Sequence, residues 1–455
     1  MTGRFALCAG ASALAGLLAG GPVAAYPLDA AEPTGIDRLE AYRLGQKGRE
    51  REGRELLPKG ALLPSSEVRL SLLDRPDFQI PAPDPELGAE LRRVLGADAP
   101  HYSLALLDLT DPDRPRYAGV NPDQAQNPGS VGKIMAGLGL FQALADLYPG
   151  DLDARRRILR ETRISADGFI RNDDHVVPFW KPGDPRVDKR PIQEGDVANL
   201  WTWLDWMLSS SSNAAGSEVM AQLVLLRHFG RDYPVPAPQA AAFFAKTPKA
   251  ALTKTYLSAM IDPIGRNGLD RRKLRQGSFF TREGKARIPG TSSIATAGEL
   301  LRYLVRMEQG RLVDPFSSLE LKRLLYLTDQ RIRYASQPAL ADSALYFKSG
   351  SLYSCKPEAG YACGKFLGNR LNFMNSMVLV ETHDRNPPLR YAVAVLSNVL
   401  KKNSAEVHAN LALEIHRMLE AAHPALPKEP KLREIEGLPW KEKSAGGGAT
   451  KPSGR

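Results

Sequence analysis

Stretches of strand length sit near the two ends of this chain, and a long helical block lies between them. Residues 101–109 (HYSLALLDL) form an apolar run, Asp111-Pro112-Asp113 marks a turn, and residues 116–120 read as the returning strand of a hairpin. Three further runs, 344–348, 375–381 and 390–396, come in the last third. Between them the pattern is helical. The simplest closure joins all five strands in one antiparallel sheet. The first and last helices then cover one face, and the central helices form a separate lobe. The expected class is α/β, an α+β sandwich.

The helices have readable limits. Asp84-Pro85 is a start signal, with the acid as cap and the proline at the first helical position. Leu87, Leu91 and Val94 follow at helical spacing. A helix over about 130–148 places Ile134, Leu138, Phe141, Ala145 and Tyr148 on one face and stops at Pro149-Gly150. A second runs over about 195–208, and its Trp201, Trp203 and Trp206 read as core and rim rather than a ligand platform. Residues 213–228, 237–246 and 294–309 read as helices, 151–200 as a short helix and a polar stretch, and 262–292 as loop. The last helix opens at Asn403, with Glu406 three residues on as a capping box. Pro424 ends it.

Arg4, the small apolar run 5–20 and Val23-Ala24-Ala25 read as a secretory signal cut before Tyr26. The run is too short for a good membrane span. The expected location is the periplasm of a bacterium. Residues 26–83 read as an N-terminal extension, 84–423 as the catalytic domain and 424–455 as a disordered tail. Cys355 and Cys363, which remain after cleavage, are plausible disulfide partners in an oxidising compartment. The formal charge of +10 suits a solvated basic surface. No basic-aromatic pattern of a nucleic-acid reader accompanies it, and the expectation is a monomer with no cofactor and no metal.

Three short motifs carry the chemistry, each present once: Ser130-x-x-Lys133, Ser211-Ser212-Asn213 and Lys348-Ser349-Gly350. A serine hydroxyl is a poor nucleophile until a base takes its proton. Lysine can be that base where burial or a nearby cation disfavours its ammonium form. Lys133 lies one helical turn from Ser130, and the helix N-terminus favours both a neutral amine and a developing anion. Ser211 can then pass a proton to the leaving nitrogen, and Asn213 can hold Lys133 and the substrate amide. Lys348 attracts a substrate carboxylate and Ser349 hydrogen-bonds it. The backbone N–H groups of Ser130 and Ser351 suit an oxyanion hole beside Gly350.

Across residues 84–423 this set resembles the penicillin-interacting serine enzymes, the serine β-lactamases and D-alanyl-D-alanine peptidases, and is most like the class A β-lactamase type. Met207-Leu208 and Ala214-Ala215 around the second motif are similar to the family's usual context. The resemblance implies a β-lactamase/transpeptidase-like sandwich with the site between sheet and helical lobe. It also implies a β-lactam or a peptidoglycan stem peptide as substrate. Ser212 stands where many β-lactamases have Asp, and Ser349 where Thr is commoner. The Glu-x-x-x-Asn loop that deacylates class A enzymes is absent from the pattern, and Glu283 is a weak candidate for its role.

Other chemistries fit poorly. Pro128 occupies the first glycine position of a Gly-x-Ser-x-Gly elbow, and the histidines are scattered without metal-ligand spacing. Three functions stay open: a β-lactamase-like hydrolase, a D-alanyl-D-alanine carboxypeptidase or endopeptidase, and a non-catalytic penicillin- or wall-binding protein.

Overall fold

The computed structural model describes residues 29–426. The signal expected at 1–25 lies outside them, as does the tail expected at 424–455 from residue 427 onward. Five strands build the main sheet: β1 (Tyr102–Asp108), β2 (Arg116–Val120), β3 (Ser343–Ser354), β4 (Leu371–Thr382) and β5 (Arg390–Asn398). Their order is β2-β1-β5-β4-β3, antiparallel throughout. The chain's early hairpin thus docks on its last strand, with Leu106 opposite Ala118 on one side and Val393 on the other. The sheet is the one expected from the strand pattern, but β3 and β4 run well beyond the predicted limits of 344–348 and 375–381.

The principal helices are α1 (Asp37–Arg51), α2 (Pro85–Leu95), α3 (Lys133–Leu147), α4 (Leu200–Leu208), α5 (Asn213–Phe229), α6 (Lys249–Arg266), α7 (Ala297–Glu308), α8 (Pro315–Tyr326) and α9 (Ser404–Ala422). Strand side chains alternate between two cores. Leu104 and Leu106 of β1 join Leu87 and Leu91 of α2 and Leu411 and Ile415 of α9. Ala105 and Leu107 point the other way, into the helical lobe. The lobe is built around α3, in which residues 133–144 are all buried. A helix apolar on every side has to be wrapped by others, and α4, α5, α6 and α8 do so.

All three tryptophans of α4 are buried, and the indole N–H groups of Trp203 and Trp206 donate to the carbonyls of Ile164 and Pro178. The stretch 262–292 is not simply loop. Helix α6 runs on to Arg266 through Pro263, because Leu252, Tyr256, Met260 and Ile264 bury one continuous face. Leu274–Arg275 pairs with Ile294–Ala295, and Arg282–Arg287 is a short helix capped by Thr281. Helix α8, absent from the sequence reading, starts at an Asp314-Pro315 cap of the same kind as Asp84-Pro85. His408 and His416 are packing residues, both buried in α9.

Residues 29–83 lie against this body, with Ile36, Leu39, Ala61, Leu63, Val68 and Leu72 in the same core as the lobe. A buried ionic cluster ties the layers together. The Lys322 ammonium on α8 donates to Glu308 of α7 (3.0 Å), to Glu381 of β4 (3.0 Å) and to the Arg69 carbonyl (2.6 Å). The Tyr346 hydroxyl of β3 donates to the other Glu381 oxygen. Removing one partner of such a cluster leaves buried charge uncompensated. Lys322→Met is therefore expected to lower unfolding free energy by about 3–5 kcal/mol, read as a lower urea midpoint with an unchanged slope.

Candidate active site

Ser130 lies in a 3₁₀ turn, Gly129–Gly132, that leads directly into α3. It stands just ahead of the α-helix rather than within its first turn. The tighter turn still sends the Lys133 side chain back to it. Lys133 Nζ is 2.7 Å from Ser130 Oγ, 2.9 Å from the Ser211 carbonyl and 2.7 Å from Asn213 Oδ1. A neutral amine has two N–H groups and one lone pair. The carbonyl and the amide oxygen are acceptors for the two N–H groups, which leaves the lone pair facing the serine hydroxyl. Burial pushes the Lys133 amine down to about 7, with the Arg333 guanidinium adding to the shift and Asp173 opposing it.

The second motif is positioned by a backbone in an unusual state. Ser211 has φ of 62°, a left-handed conformation that is uncommon for serine. It turns the Ser211 carbonyl toward Lys133 and its hydroxyl toward Lys348, whose Nζ donates to Ser211 Oγ at 2.7 Å. Ser212 caps α5, accepting from the Ala215 N–H at 3.1 Å. Its hydroxyl also donates to Asp173 Oδ2 at 2.9 Å, and the Ala214 N–H donates to the same oxygen at 2.8 Å. Asp173 thus anchors the start of α5. Burial works against its charge, but the hydrogen bond to His175 and these donors hold its carboxyl at about 2.

The third motif is the middle of β3, on the free edge of the sheet. The Lys348 amine is driven well below its ordinary range by burial, then by Lys133 and Arg333. Gly350 passes so close to the Ser130 turn that a Cβ on it would lie 2.5 Å from the Ser130 backbone nitrogen and 2.6 Å from the Pro128 carbonyl oxygen. This approach brings the backbone nitrogens of Ser130 and Ser351 to the same end of the site. Arg333 holds the far side, donating to Ser349 Oγ at 2.8 Å and Ser351 Oγ at 3.1 Å.

These groups open on a cleft of about 690 Å³ lined by Ser130, Ser211, Asn213, Lys348, Ser349 and Ser351, with Arg333 and Phe280 among its walls. The predicted residues of all three motifs are therefore brought together. Cys355 and Cys363 lie just past them on the β3–β4 connection, joined as a disulfide with Cα atoms 5.8 Å apart.

Glu283 is not part of this site. Its carboxylate pairs with Arg287 at 2.9 Å on the short helix beyond Thr281, and it does not line the cleft. Among the described residues no carboxylate hydrogen-bonds Ser130 or Lys133. The ring of Phe280 instead covers the Lys133 amine, 4.4 Å from its centroid. Gly216 leaves the space for both, since a Cβ there would meet Phe280 at 2.8 Å and Lys133 Cε at 3.1 Å. Asp173, Asp174 and His175 bring three ligand-type atoms within 4.8 Å of one another, but both Asp173 oxygens are already engaged by Ser212, Ala214 and His175.

The sequence reading missed Asp173, Phe280 and Arg333. Only Gly216 left a trace, because a glycine inside a helix costs stability and marks a close approach.

No family model matches the chain, and no curated protein gives a significant match. Among solved structures it is similar to PBP-A, at 13% identity over 75% of this chain and 100% of that one, with a TM-score of 0.45. A variant of PBP-A, solved as an acyl-enzyme complex with penicillin G, gives 13% identity over 76% and 100%, with a TM-score of 0.46. A β-lactamase from Sphaerobacter thermophilus gives 14% identity over 73% and 95%, with a TM-score of 0.45.

The contact at Gly350 is a direct test of this geometry. Gly350→Ala must push β3 and the Ser130 turn apart, and displacements of ~1 Å cost up to ~100-fold in rate. The variant is expected to stay folded but to lose about 1–3 kcal/mol of stability, while its Ser130 reacts at least about tenfold more slowly with an acylating probe, measured by intact mass.

Proposed function

We propose that the protein is an exported active-site serine hydrolase of the β-lactamase-like kind. It opens a β-lactam or related amide through an acyl-enzyme on Ser130. The observation that carries this reading is the Lys133 amine, buried, lowered to about 7 and 2.7 Å from Ser130 Oγ. Lys133 takes the Ser130 proton as Oγ bonds to the substrate carbonyl carbon. The N–H groups of Ser130 and Ser351 receive the oxyanion. As the C–N bond breaks, Ser211 gives its proton to the leaving nitrogen and is resupplied by the Lys348 ammonium it touches. Lys348, Ser349 and Arg333 together suit a carboxylate on the leaving side.

Among the described residues no carboxylate hydrogen-bonds Ser130 or Lys133 to activate a water on the acyl group, and Phe280 covers the Lys133 amine where a water would need access. Slow deacylation follows. The same observation favours a second reading, a D-alanyl-D-alanine carboxypeptidase or endopeptidase acting on peptidoglycan. Export to the periplasm rests on the leader pattern at 1–25, and the Cys355–Cys363 bridge suits that compartment. Among the described residues no helix is long and apolar enough to cross a membrane.

A labelled penicillin is expected to add covalently to Ser130 and to leave slowly, as followed by intact mass. Release of D-alanine from a wall peptide then assigns the peptidase. An adduct that persists undiminished in Ser130→Ala would refute the mechanism.

A further inference from the structure

The N-terminal segment reads in the sequence as an appendage, yet it touches the elements that carry the site. The Arg38 side chain on α1 is fully enclosed, at 1% exposure, and its partner Asp205 on α4 is at 0%. Arg38 Nε and Nη2 donate to the two Asp205 oxygens, each at 2.6 Å. Nη2 also donates to the Leu327 carbonyl at 2.8 Å and reaches Ser209 Oγ at 3.3 Å. Ser209 is two residues before Ser211. Leu327 opens the segment that leads to Arg333. One guanidinium therefore joins the end of α4 to the 327–333 segment, and both line the cleft.

The neighbours of Arg38 extend the same contact. One turn along α1, the Tyr42 hydroxyl donates to Asp329 Oδ1 at 3.1 Å, and Asp329 lines the cleft. At the other end of α4, the cap residue Asn199 donates to the Thr34 carbonyl at 2.9 Å. The segment thus grips α4 at both ends. Such fastening matters because Ser211 and Arg333 both sit in left-handed backbone, with φ of 62° and 56°. Non-glycine residues hold that conformation only where surrounding structure over-determines it.

We infer that Arg38 is a positioning residue for the acylation reaction. It holds Ser211 and Arg333 at their places through Asp205 and Leu327, with Tyr42 fixing the Arg333 side. The inference rests on the proposed function for its activity readout and on the contacts alone for its structural one.

The test replaces both buried charges together, Arg38→Met with Asp205→Leu, since a buried ion pair exchanged for apolar residues of similar volume often keeps its stability. Two quantities are read on the full chain: Ser130 acylation by labelled penicillin, and amide hydrogen exchange at 209–214 and 328–334. The expected result is a melting temperature near wild type, exchange about tenfold faster in both segments and acylation at least about tenfold slower. A folded double variant with wild-type exchange and wild-type acylation overturns the inference. The milder Arg38→Lys, which keeps the charge but cannot span both Asp205 oxygens and the Leu327 carbonyl at once, decides the matter if the double variant does not fold. It is expected to slow acylation about threefold and to speed exchange in both segments, and no change in either would overturn the inference. A wild-type protein that penicillin fails to acylate refutes the proposed function, and the exchange measurement then judges the brace alone.

Discussion

A lysine amine takes a proton from serine only where its own charged form is disfavoured, and the surroundings of Lys133 meet that requirement. Lys133 is buried at the start of α3, in which residues 133–144 are all buried. Its amine meets two oxygens that accept and one hydroxyl that can donate. The hydroxyl comes from the first motif and both oxygens from the second, so the amine is where those two motifs meet. The third motif reaches it through Ser211, which bridges to Lys348. Two buried amines and a guanidinium in one cleft repel one another. Burial is the main cause that lowers both amines; Arg333 adds to it at Lys133, and Lys133 and Arg333 add to it at Lys348, which leaves the cleft inviting to a carboxylate.

Holding such charges in low-dielectric surroundings costs stability, and the structure offsets this with fastenings outside the cleft. Asp173 anchors the start of α5 through Ser212 and Ala214. Lys322, Glu308 and Glu381 lock α7, α8 and β4 to one another and to Arg69. Arg38 and Asp205 lock α4 to the N-terminal segment. These links are ionic and directional, where apolar packing alone would allow small slides. A site that depends on left-handed residues and a glycine contact at van der Waals limits has little tolerance for sliding.

Much of this was legible in the chain. The strand runs at both ends gave the five-stranded sheet, since their apolar lengths had no other partner to pair with. The Ser-x-x-Lys spacing placed the amine beside the hydroxyl because three residues make one helical turn. Strand limits were poorer: β3 continues to Ser354 through Ser349, Gly350 and Ser351, which are weak strand formers that pairing with β4 holds extended. Helix α8 was missed although Asp314-Pro315 repeats the signal read at Asp84-Pro85. Helix α6 was absent from the reading as well, and its last residues fell in the stretch read as loop because Pro263 and the arginines after it look like breakers, while its buried face decides otherwise. Arg333, Asp173 and Arg38 had no pattern to betray them. Each is a lone charged residue whose partner is distant in sequence, and single charges carry no periodicity.

The central claim is that a large share of Lys133 is neutral, and so able to act as a base, at physiological pH. It is tested most directly by following the ε-carbon resonance of Lys133 against pH, in protein labelled at lysine and assigned with Lys133→Arg. The amine is protonated below its midpoint and free to accept the Ser130 proton above it. A midpoint at about 7 is the expected result. A midpoint at the ordinary lysine value of 10.5 would mean a permanently charged Lys133 and would contradict the mechanism.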